Sequence, residues 1–268
     1  MPRRPQTRRW QAVTLALLGA VAAVGVAAAA VRSPEKPAAA AGAGALPLPV
    51  APAFVPGRPR PLGSTRHLSH WAIVKRPAIA RVAPVAGAAV VAAVPTLAPE
   101  GTPSAVAVIA QRQDGGGRVW VHVRLPVLPN GTTGWVRRRA LGGYEAVDTR
   151  LDVDLARLRA TLYRDGRPVL RAPIGAGSRG WPTPRGRFYV RNKLTRYRSP
   201  AYGPVAFGTS ARSLAATGWP AGGFVGIHGT DRPDLVPGRV SHGCIRMRNA
   251  DIRALARRMP VGTPLTIH

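Results

Sequence analysis

Cys244 is the only cysteine in a chain of 268 residues, and two histidines lie near it in sequence. His242 stands two positions before it, and His228 stands further upstream at the end of a predicted strand. A histidine at hydrogen-bond distance can remove the thiol proton and so generate a nucleophilic thiolate. Gly243 beside the cysteine allows a close backbone approach, where N–H groups can stabilise an oxyanion. These residue types indicate nucleophilic catalysis by a cysteine thiolate, with either histidine as the candidate base.

Two less specific interpretations of the same residues stay open on chemistry alone. A lone cysteine is often a small buried side chain without a chemical role. The two histidines and the cysteine could also be three ligands of a zinc ion, as in a zinc-dependent peptidase, with a nearby aspartate as the fourth. The candidate aspartates are Asp231, Asp234 and Asp251.

Longer motifs around the cysteine carry a specific family resemblance. Residues 227–230 read Ile-His-Gly-Thr, and residues 241–247 read Ser-His-Gly-Cys-Ile-Arg-Met. Further upstream, residues 183–188 read Thr-Pro-Arg-Gly-Arg-Phe, and residues 202–204 read Tyr-Gly-Pro. Together these motifs resemble the signature of the L,D-transpeptidase catalytic domain (the YkuD family). The resemblance covers roughly residues 150–268.

The resemblance implies a role for each residue of the central motifs. Cys244 is the expected nucleophile and His228 its general base, with the backbone carbonyl of Gly229 orienting the imidazole. The expected oxyanion hole consists of the amides of Gly243 and Cys244, helped by His242. These groups suffice for acyl transfer, so neither a metal nor an organic cofactor is expected.

Three further residues are expected on the substrate side of the site. Arg246 is predicted to contact a substrate carboxylate, with a plain surface arginine as the alternative in so Arg-rich a chain. Tyr202 belongs to the family motif upstream of the histidine. Ser241 is expected to shape the turn before the nucleophile rather than to react.

The implied reaction is acyl transfer on the stem peptides of peptidoglycan. The thiolate attacks the carbonyl of an L-centred residue and expels the terminal D-residue, which leaves a thioester on the protein. An amine of a neighbouring stem then forms a 3→3 cross-link, whereas water would give L,D-carboxypeptidase activity. The family likeness also implies that carbapenems acylate Cys244. A different class of function is a wall-binding protein whose catalytic domain is idle.

The N-terminus predicts export. Four arginines within the first nine residues precede the uncharged run Ala12–Val31, which is long enough to cross a membrane as a helix. Residues 1–31 are therefore predicted to be a signal anchor or a cleaved signal peptide, and an uncleaved segment would make the membrane a partner. The proline-rich residues 32–65 are predicted to form an extended linker. The expected location is the bacterial cell envelope, at the outer face of the membrane or in the wall.

The remainder of the chain predicts two β-rich domains. Residues 66–146 contain short alternating strands, a Pro-Asn-Gly turn and a Gly-Trp-Val strand, which together resemble a small bacterial SH3-like β-barrel. Residues 150–268 predict a mainly β catalytic domain of the L,D-transpeptidase type with one clear short helix. That helix is predicted to have Asn249 as its N-cap and to stop at Pro260.

The chain is strongly basic, with 39 Lys and Arg against 11 Asp and Glu and a formal net charge of +28. Nucleic acid is not a predicted partner, because the arginines are scattered and no helix-turn-helix, zinc-finger or stacking-aromatic motif organises them. A solvated basic surface compatible with an anionic envelope is the simpler interpretation. No pattern in the sequence fixes an oligomeric state.

Overall fold

A computed structural model describes residues 59–62, 67–197, 199–215 and 223–268. The predicted signal or anchor segment and nearly all of the predicted linker lie outside these ranges. Within them, no helix has the length and apolar composition that a membrane crossing requires. The described residues all belong to one compact unit, Ala51–His268, which contains two β-sheets.

The N-terminal sheet has eight strands in the described part of the chain. They are β1 (Arg60–Pro61), β2 (Ser69–Ile73), β3 (Ala78–Arg81), β4 (Val90–Val94), β5 (Ala105–Gln113), β6 (Val119–Arg124), β7 (Thr133–Arg137) and β8 (Glu145–Val147). Their spatial order is β4-β3-β7-β6-β5-β2-β8, and β1 pairs with β5, so the sheet begins within the segment predicted as linker. The SH3-like character of this sheet stays a prediction.

The second sheet has ten strands in the described part of the chain. They are β9 (Thr149–Asp154), β10 (Arg159–Arg164), β11 (Arg167–Pro173), β12 (Gly175–Gly177), β13 (Gly186–Leu194), β14 (Ala206–Arg212), β15 (Phe224–His228), β16 (Gly238–Ser241), β17 (Ile245–Arg246) and β18 (Pro264–Ile267). Their spatial order is β11-β10-β9-β18-β13-β14-β15-β17-β12-β16. Three pairs are parallel, namely β9 with β18, β12 with β16 and β15 with β17.

Each sheet has its own cluster of buried apolar side chains. In the N-terminal sheet, Val121 and Val123 of β6 are fully buried on either side of the half-buried His122. In the second sheet, Leu151 and Val153 of β9 are buried in the same pattern. This two-residue period is the pattern expected of strands with one face on a core. The prediction of a mainly β fold is confirmed.

The single α-helix among the described residues, α1, spans Asn249–Ala256. The prediction of Asn249 as N-cap is wrong, because Arg248 holds that position without a side-chain cap. The side chain of Asn249 turns instead to the loop after β15, where its Oδ1 accepts a hydrogen bond from Thr230 N–H at 3.0 Å. The helix also ends at Ala256, before it reaches Pro260, and residues 257–258 continue as a turn.

Hydrogen bonds join the two sheets. Asn130, in the turn before β7, donates through Nδ2 to the Arg212 carbonyl at 2.8 Å and accepts from the Arg212 N–H at 3.0 Å. The buried Tyr189 hydroxyl donates to the Ala105 carbonyl at 3.0 Å. The N-terminal sheet is therefore packed against β13 and β14 of the second sheet. The next strands in that sheet are β15 and β17, which flank the cysteine motif.

Candidate active site

Two adjacent strands bring the histidine and cysteine motifs together. β15 ends at His228, and β17 begins one residue after Cys244. The strands pair in parallel, with Ile227 opposite Ile245 and His228 opposite Arg246. Both isoleucines are fully buried, so the core fixes this register. The polar residues beside them are consequently held at the same end of the sheet.

Gly226 lies against both the thiol and the imidazole. Its N–H donates a hydrogen bond to Cys244 Sγ at 3.3 Å. A Cβ atom placed on Gly226 would lie 3.8 Å from Cys244 Sγ and 3.8 Å from His228 Cδ2, so both side chains border the same small space. His242, the other candidate base, is exposed and packs edge-on against Trp181 with 5.1 Å between the ring centroids. The arrangement favours His228 as the base.

The surroundings of His228 set its tautomer and its charge. Its Nδ1 is 2.6 Å from the Gly229 carbonyl oxygen. Since a carbonyl can only accept, Nδ1 carries the proton and Nε2 is the basic atom. Burial lowers the pKa of His228 to about 4, against the opposing effect of the Gly229 carbonyl and with a further lowering by Arg246. The imidazole is therefore neutral at neutral pH, as a general base has to be.

The thiol of Cys244 is also neutral in the resting site. Burial raises the pKa of the Cys244 thiol, although the Gly226 N–H and the charge of Arg246 act in the opposite direction. A raised thiol pKa next to a lowered imidazole pKa favours a neutral pair over a thiolate–imidazolium pair. A reaction at this thiol would therefore require a base to take up its proton as the sulfur attacks.

Ser241 closes the turn that presents the cysteine. Its Oγ donates to the Cys244 carbonyl at 2.6 Å and accepts from the Gly243 N–H at 3.1 Å. Gly243 has a φ of +111°, which glycine adopts without the strain of a side chain. Thr183 Oγ1 donates to the Gly243 carbonyl at 2.9 Å and fixes the turn from the other side. The Gly243 amide, expected in the oxyanion hole, is thus engaged by Ser241.

A cavity of about 380 Å³ opens in front of the cysteine and the histidine. The ring of Tyr202 lies on one side of it, 4.5 Å from the His228 ring and tilted by 51°. Leu194 and Phe224 contribute apolar wall. Arg246 lines the same cavity, and its Nε is buried without a hydrogen-bond partner among the described residues. A ligand with an anionic group would supply the missing partner.

Several residues that line this cavity are not predicted from the sequence, and three of them bear on its chemistry: Glu100, Ser213 and Gly226. Glu100 carries a signal that could have been used, since it is the only acidic residue between Glu35 and Asp114. Gly226 lies among apolar residues of a strand, two positions before His228. A glycine inside a strand is a recognised sign that another group approaches the backbone closely. Ser213 has no signal of its own in the sequence.

The zinc interpretation finds no support in the arrangement of side chains. Throughout the described ranges, no three side chains of His, Cys, Asp or Glu gather closely enough to hold a metal ion. Asp231 and Asp234 are exposed, and Asp234 is paired with Arg232 at 3.0 Å. The candidate fourth ligands on this loop are therefore turned to solvent.

Comparison with known proteins gives the same class of domain. Residues 148–267 match the family model of the L,D-transpeptidase catalytic domain, YkuD. A provisionally named L,D-transpeptidase YkuD of Bacillus licheniformis is 37% identical over 123 residues, which are 46% of this chain and 67% of the relative. Its namesake in Bacillus subtilis is 40% identical over 108 residues, 40% of this chain and 58% of the relative. The chain therefore belongs to the L,D-transpeptidase catalytic domain family.

Solved structures include a similar domain. The catalytic domain of an Enterococcus faecium L,D-transpeptidase is 29% identical, with a TM-score of 0.36, and the match covers 45% of this chain and 97% of that one. Among the curated relatives, the matched region is a smaller share of YbiS from Escherichia coli, at 44% of its length. The family model itself spans the second sheet with its helix, and the N-terminal sheet lies outside the matched residues.

Proposed function

We propose that this protein is an L,D-transpeptidase that acts on peptidoglycan stem peptides through a thioester on Cys244. The observation that carries the proposal is the placement of the Cys244 thiol and the His228 imidazole around Gly226 at the cavity, in a chain of this family. Nucleophile, base and orienting carbonyl are then adjacent, which is the minimum that acyl transfer needs.

The chemistry runs in two halves. His228 Nε2 takes the thiol proton as Sγ attacks the carbonyl carbon of the L-centred residue. The C–N bond to the terminal D-residue breaks, its nitrogen receives the proton from His228, and the free D-amino acid leaves. An amine of a second stem then attacks the thioester and gives a proton to His228, which returns it to the departing sulfur. The product is a 3→3 cross-link, whereas water as acceptor gives the carboxypeptidase product.

The charges at the cavity fit a substrate that ends in a carboxylate. Arg246 supplies a buried Nε without a partner. Glu100 is the only acidic residue among those that line the cavity in the described ranges, and its carboxylate is already paired with Arg191 at 2.8 Å. The free positive charge is therefore that of Arg246, and the terminal carboxylate of a stem peptide is its proposed partner.

The proposed substrate is a polymer outside the cytoplasmic membrane, so the proposal includes export to the cell envelope. The basic N-terminus followed by the uncharged run of residues 12–31 supports this location. The net charge of +28 would hold the protein near the anionic envelope through nonspecific attraction.

The test is incubation of purified muropeptides with the full-length protein and its Cys244→Ala and His228→Ala variants, followed by mass spectrometry. We expect cross-linked dimers from the parent, none from Cys244→Ala, and a decrease on the order of 10²- to 10⁴-fold in His228→Ala. A carbapenem adduct on the parent should be absent from Cys244→Ala. The matched control is His122→Ala, a histidine stacked on Trp135 in the N-terminal sheet, with activity unchanged.

Any different pattern of products would indicate one of the competing functions. Shortened stems without dimers would assign L,D-carboxypeptidase activity to the same cysteine. Binding to the polymer with no product and no adduct would leave a wall-binding protein with an idle catalytic domain. Dimers that persist in Cys244→Ala would place the nucleophile elsewhere.

A further inference from the structure

Two buried polar side-chain atoms have no hydrogen-bond partner within the described residues, and both belong to the cavity lining. They are Arg246 Nε, the proposed partner of a substrate carboxylate, and Ser213 Oγ. Buried polar groups in native proteins are almost always paired, so each exception calls for a physical reason. Ser213 requires such a reason although no motif in the sequence marks it.

Ser213 stands beside the turn that carries the nucleophile. The residue follows β14, is 4% exposed, and is anchored by its own N–H, which donates to the Gly223 carbonyl at 2.9 Å. A Cβ atom placed on Gly243 would lie 3.7 Å from both Cβ and Oγ of Ser213. The hydroxyl is thus adjacent to Gly243, next to Cys244 in the chain, and at the edge of the same cavity.

The neighbouring hydroxyl groups on the same strand are satisfied. Ser210 Oγ accepts a hydrogen bond from the Tyr189 N–H at 3.1 Å, and Thr209 Oγ1 donates to the Val225 carbonyl at 2.6 Å. A buried hydroxyl without a partner has lost its hydrogen bonds to water and gained none in return, which opposes folding. Among these buried hydroxyls of the β14 segment, Ser213 alone bears that cost, and it is the one that reaches the cavity.

A hydrogen-bond donor is needed on this side of the cavity. The Gly243 N–H, an expected oxyanion donor, is engaged by Ser241 Oγ at 3.1 Å. A peptide bound in front of Cys244 brings carbonyl oxygens that lose their water when they enter the cavity, and each then requires a donor. The Ser213 hydroxyl can donate without breaking any bond that the described structure contains.

We propose that Ser213 is a substrate-binding residue whose hydroxyl donates a hydrogen bond to a carbonyl oxygen of the stem peptide beside the scissile bond. The proposal rests on the proposed function, since it takes the stem peptide as the ligand. The hydroxyl is unpaired in the free protein and becomes paired on binding. A buried hydroxyl that is paired only in the complex raises the affinity for the ligand and lowers the stability of the free protein. The two effects can be measured separately.

The experiment measures the binding of a synthetic tetrapeptide stem, with an L-centred diamino acid before a terminal D-residue, to full-length protein that carries Cys244→Ala. We expect Ser213→Ala to weaken this binding about tenfold, the value of one hydrogen bond near the upper end of the usual range. The urea midpoint of unfolding should stay unchanged or rise, because no hydrogen bond of the free protein is lost. In the enzyme with Cys244 intact, Ser213→Ala should lower kcat/KM for stem peptides by a similar factor.

Ser210→Ala is the matched control, a buried serine three positions earlier on the same chain segment. It should show the opposite pattern, with a lower urea midpoint, because Tyr189 N–H loses its acceptor, and with unchanged stem binding. If Ser213→Ala leaves the affinity for the stem peptide unchanged, the substrate-binding role of Ser213 is wrong. The transpeptidase proposal would still stand. A parent protein that neither binds the stem nor turns it over would overturn both.

Discussion

Arg191 on β13 and Glu100 in the loop after β4 form a salt bridge between the two sheets, with 2.8 Å from Nη2 to Oε1. The Arg191 side chain is only 3% exposed, and Asn192 Nδ2 also donates to Glu100 at 3.1 Å. The Arg191 guanidinium lies 3.8 Å from the centroid of the Phe224 ring, which lines the cavity of the candidate active site. The N-terminal sheet thus supports one wall of that cavity.

Glu100→Gln should destabilise the protein by on the order of 3 kcal/mol. The substitution keeps the size of the side chain but removes the countercharge of a guanidinium that is almost fully buried. Urea unfolding of the full-length protein measures the change in free energy. Asp234→Asn is the matched control, because both partners of its pair with Arg232 are exposed and solvent screens their attraction, so its loss should change stability little. If both variants lose the same small amount of unfolding free energy, the Glu100–Arg191 pair stabilises the protein no more than an ordinary surface ion pair.

The reaction of Cys244 with iodoacetamide should keep accelerating as the pH rises through the range in which an ordinary thiol titrates. Alkylation follows the thiolate, and burial raises the pKa of this thiol. Since Cys244 is the only cysteine, loss of free thiol with time measures one site. The His228→Ala variant should alkylate with a similarly rising profile. A plateau near neutral pH in the parent would reveal a preformed thiolate–imidazolium pair and contradict the neutral resting site.

Gly229→Ala should lower kcat on the order of 10²-fold with little change in KM. The Gly229 carbonyl holds His228 Nδ1, and a Cβ atom at this position would collide with Asn249 Oδ1 and come within 3.0 Å of Gly203 Cα. The displaced segment would move the base, and small displacements of a reacting group are costly. Gly143→Ala, where a Cβ meets nothing within 4 Å, is the control for adding a methyl group. A parallel rise in KM would point to general distortion of the cavity instead.

The main residues of the candidate site could be predicted from the sequence because they lie in two short motifs next to strands. β6 and β15 both coincide with short runs rich in apolar residues, which predict strands from the sequence alone. The tautomer of His228 follows from a backbone carbonyl one residue away. Local information of this kind is available from a single sequence.

What escaped prediction depends on contacts between distant residues. Asn249 has a strong local preference for an N-cap, but its side chain is used by Thr230, nineteen positions away. Glu100 and Arg191 are 91 positions apart, and a lone acidic residue does not announce its partner. The engagement of the Gly243 amide by Ser241 depends on turn geometry that neither residue type specifies. These features belong to tertiary packing, which overrides local preference.

The stability of the protein should fall more steeply between pH 7 and pH 4 than that of His228→Gln. Burial lowers the pKa of His228 to about 4 in the folded protein, whereas an unfolded histidine titrates near 6.5. The unfolded chain therefore takes up a proton first as the pH falls, so the contribution is complete above about pH 6.5 and is lost on the way to pH 4. Linkage makes this difference about 3 kcal/mol in the free energy of unfolding.

Urea unfolding of both proteins at pH 7 and at pH 4 measures the difference directly. His122, whose pKa is also lowered by burial, is present in both proteins, so its effect cancels in the comparison. The carboxylates of Asp114 and Asp154, whose pKa values hydrogen bonds lower, cancel for the same reason. If the parent and His228→Gln lose the same free energy over this range, His228 is not held neutral by burial, and its readiness as a base at neutral pH needs another explanation.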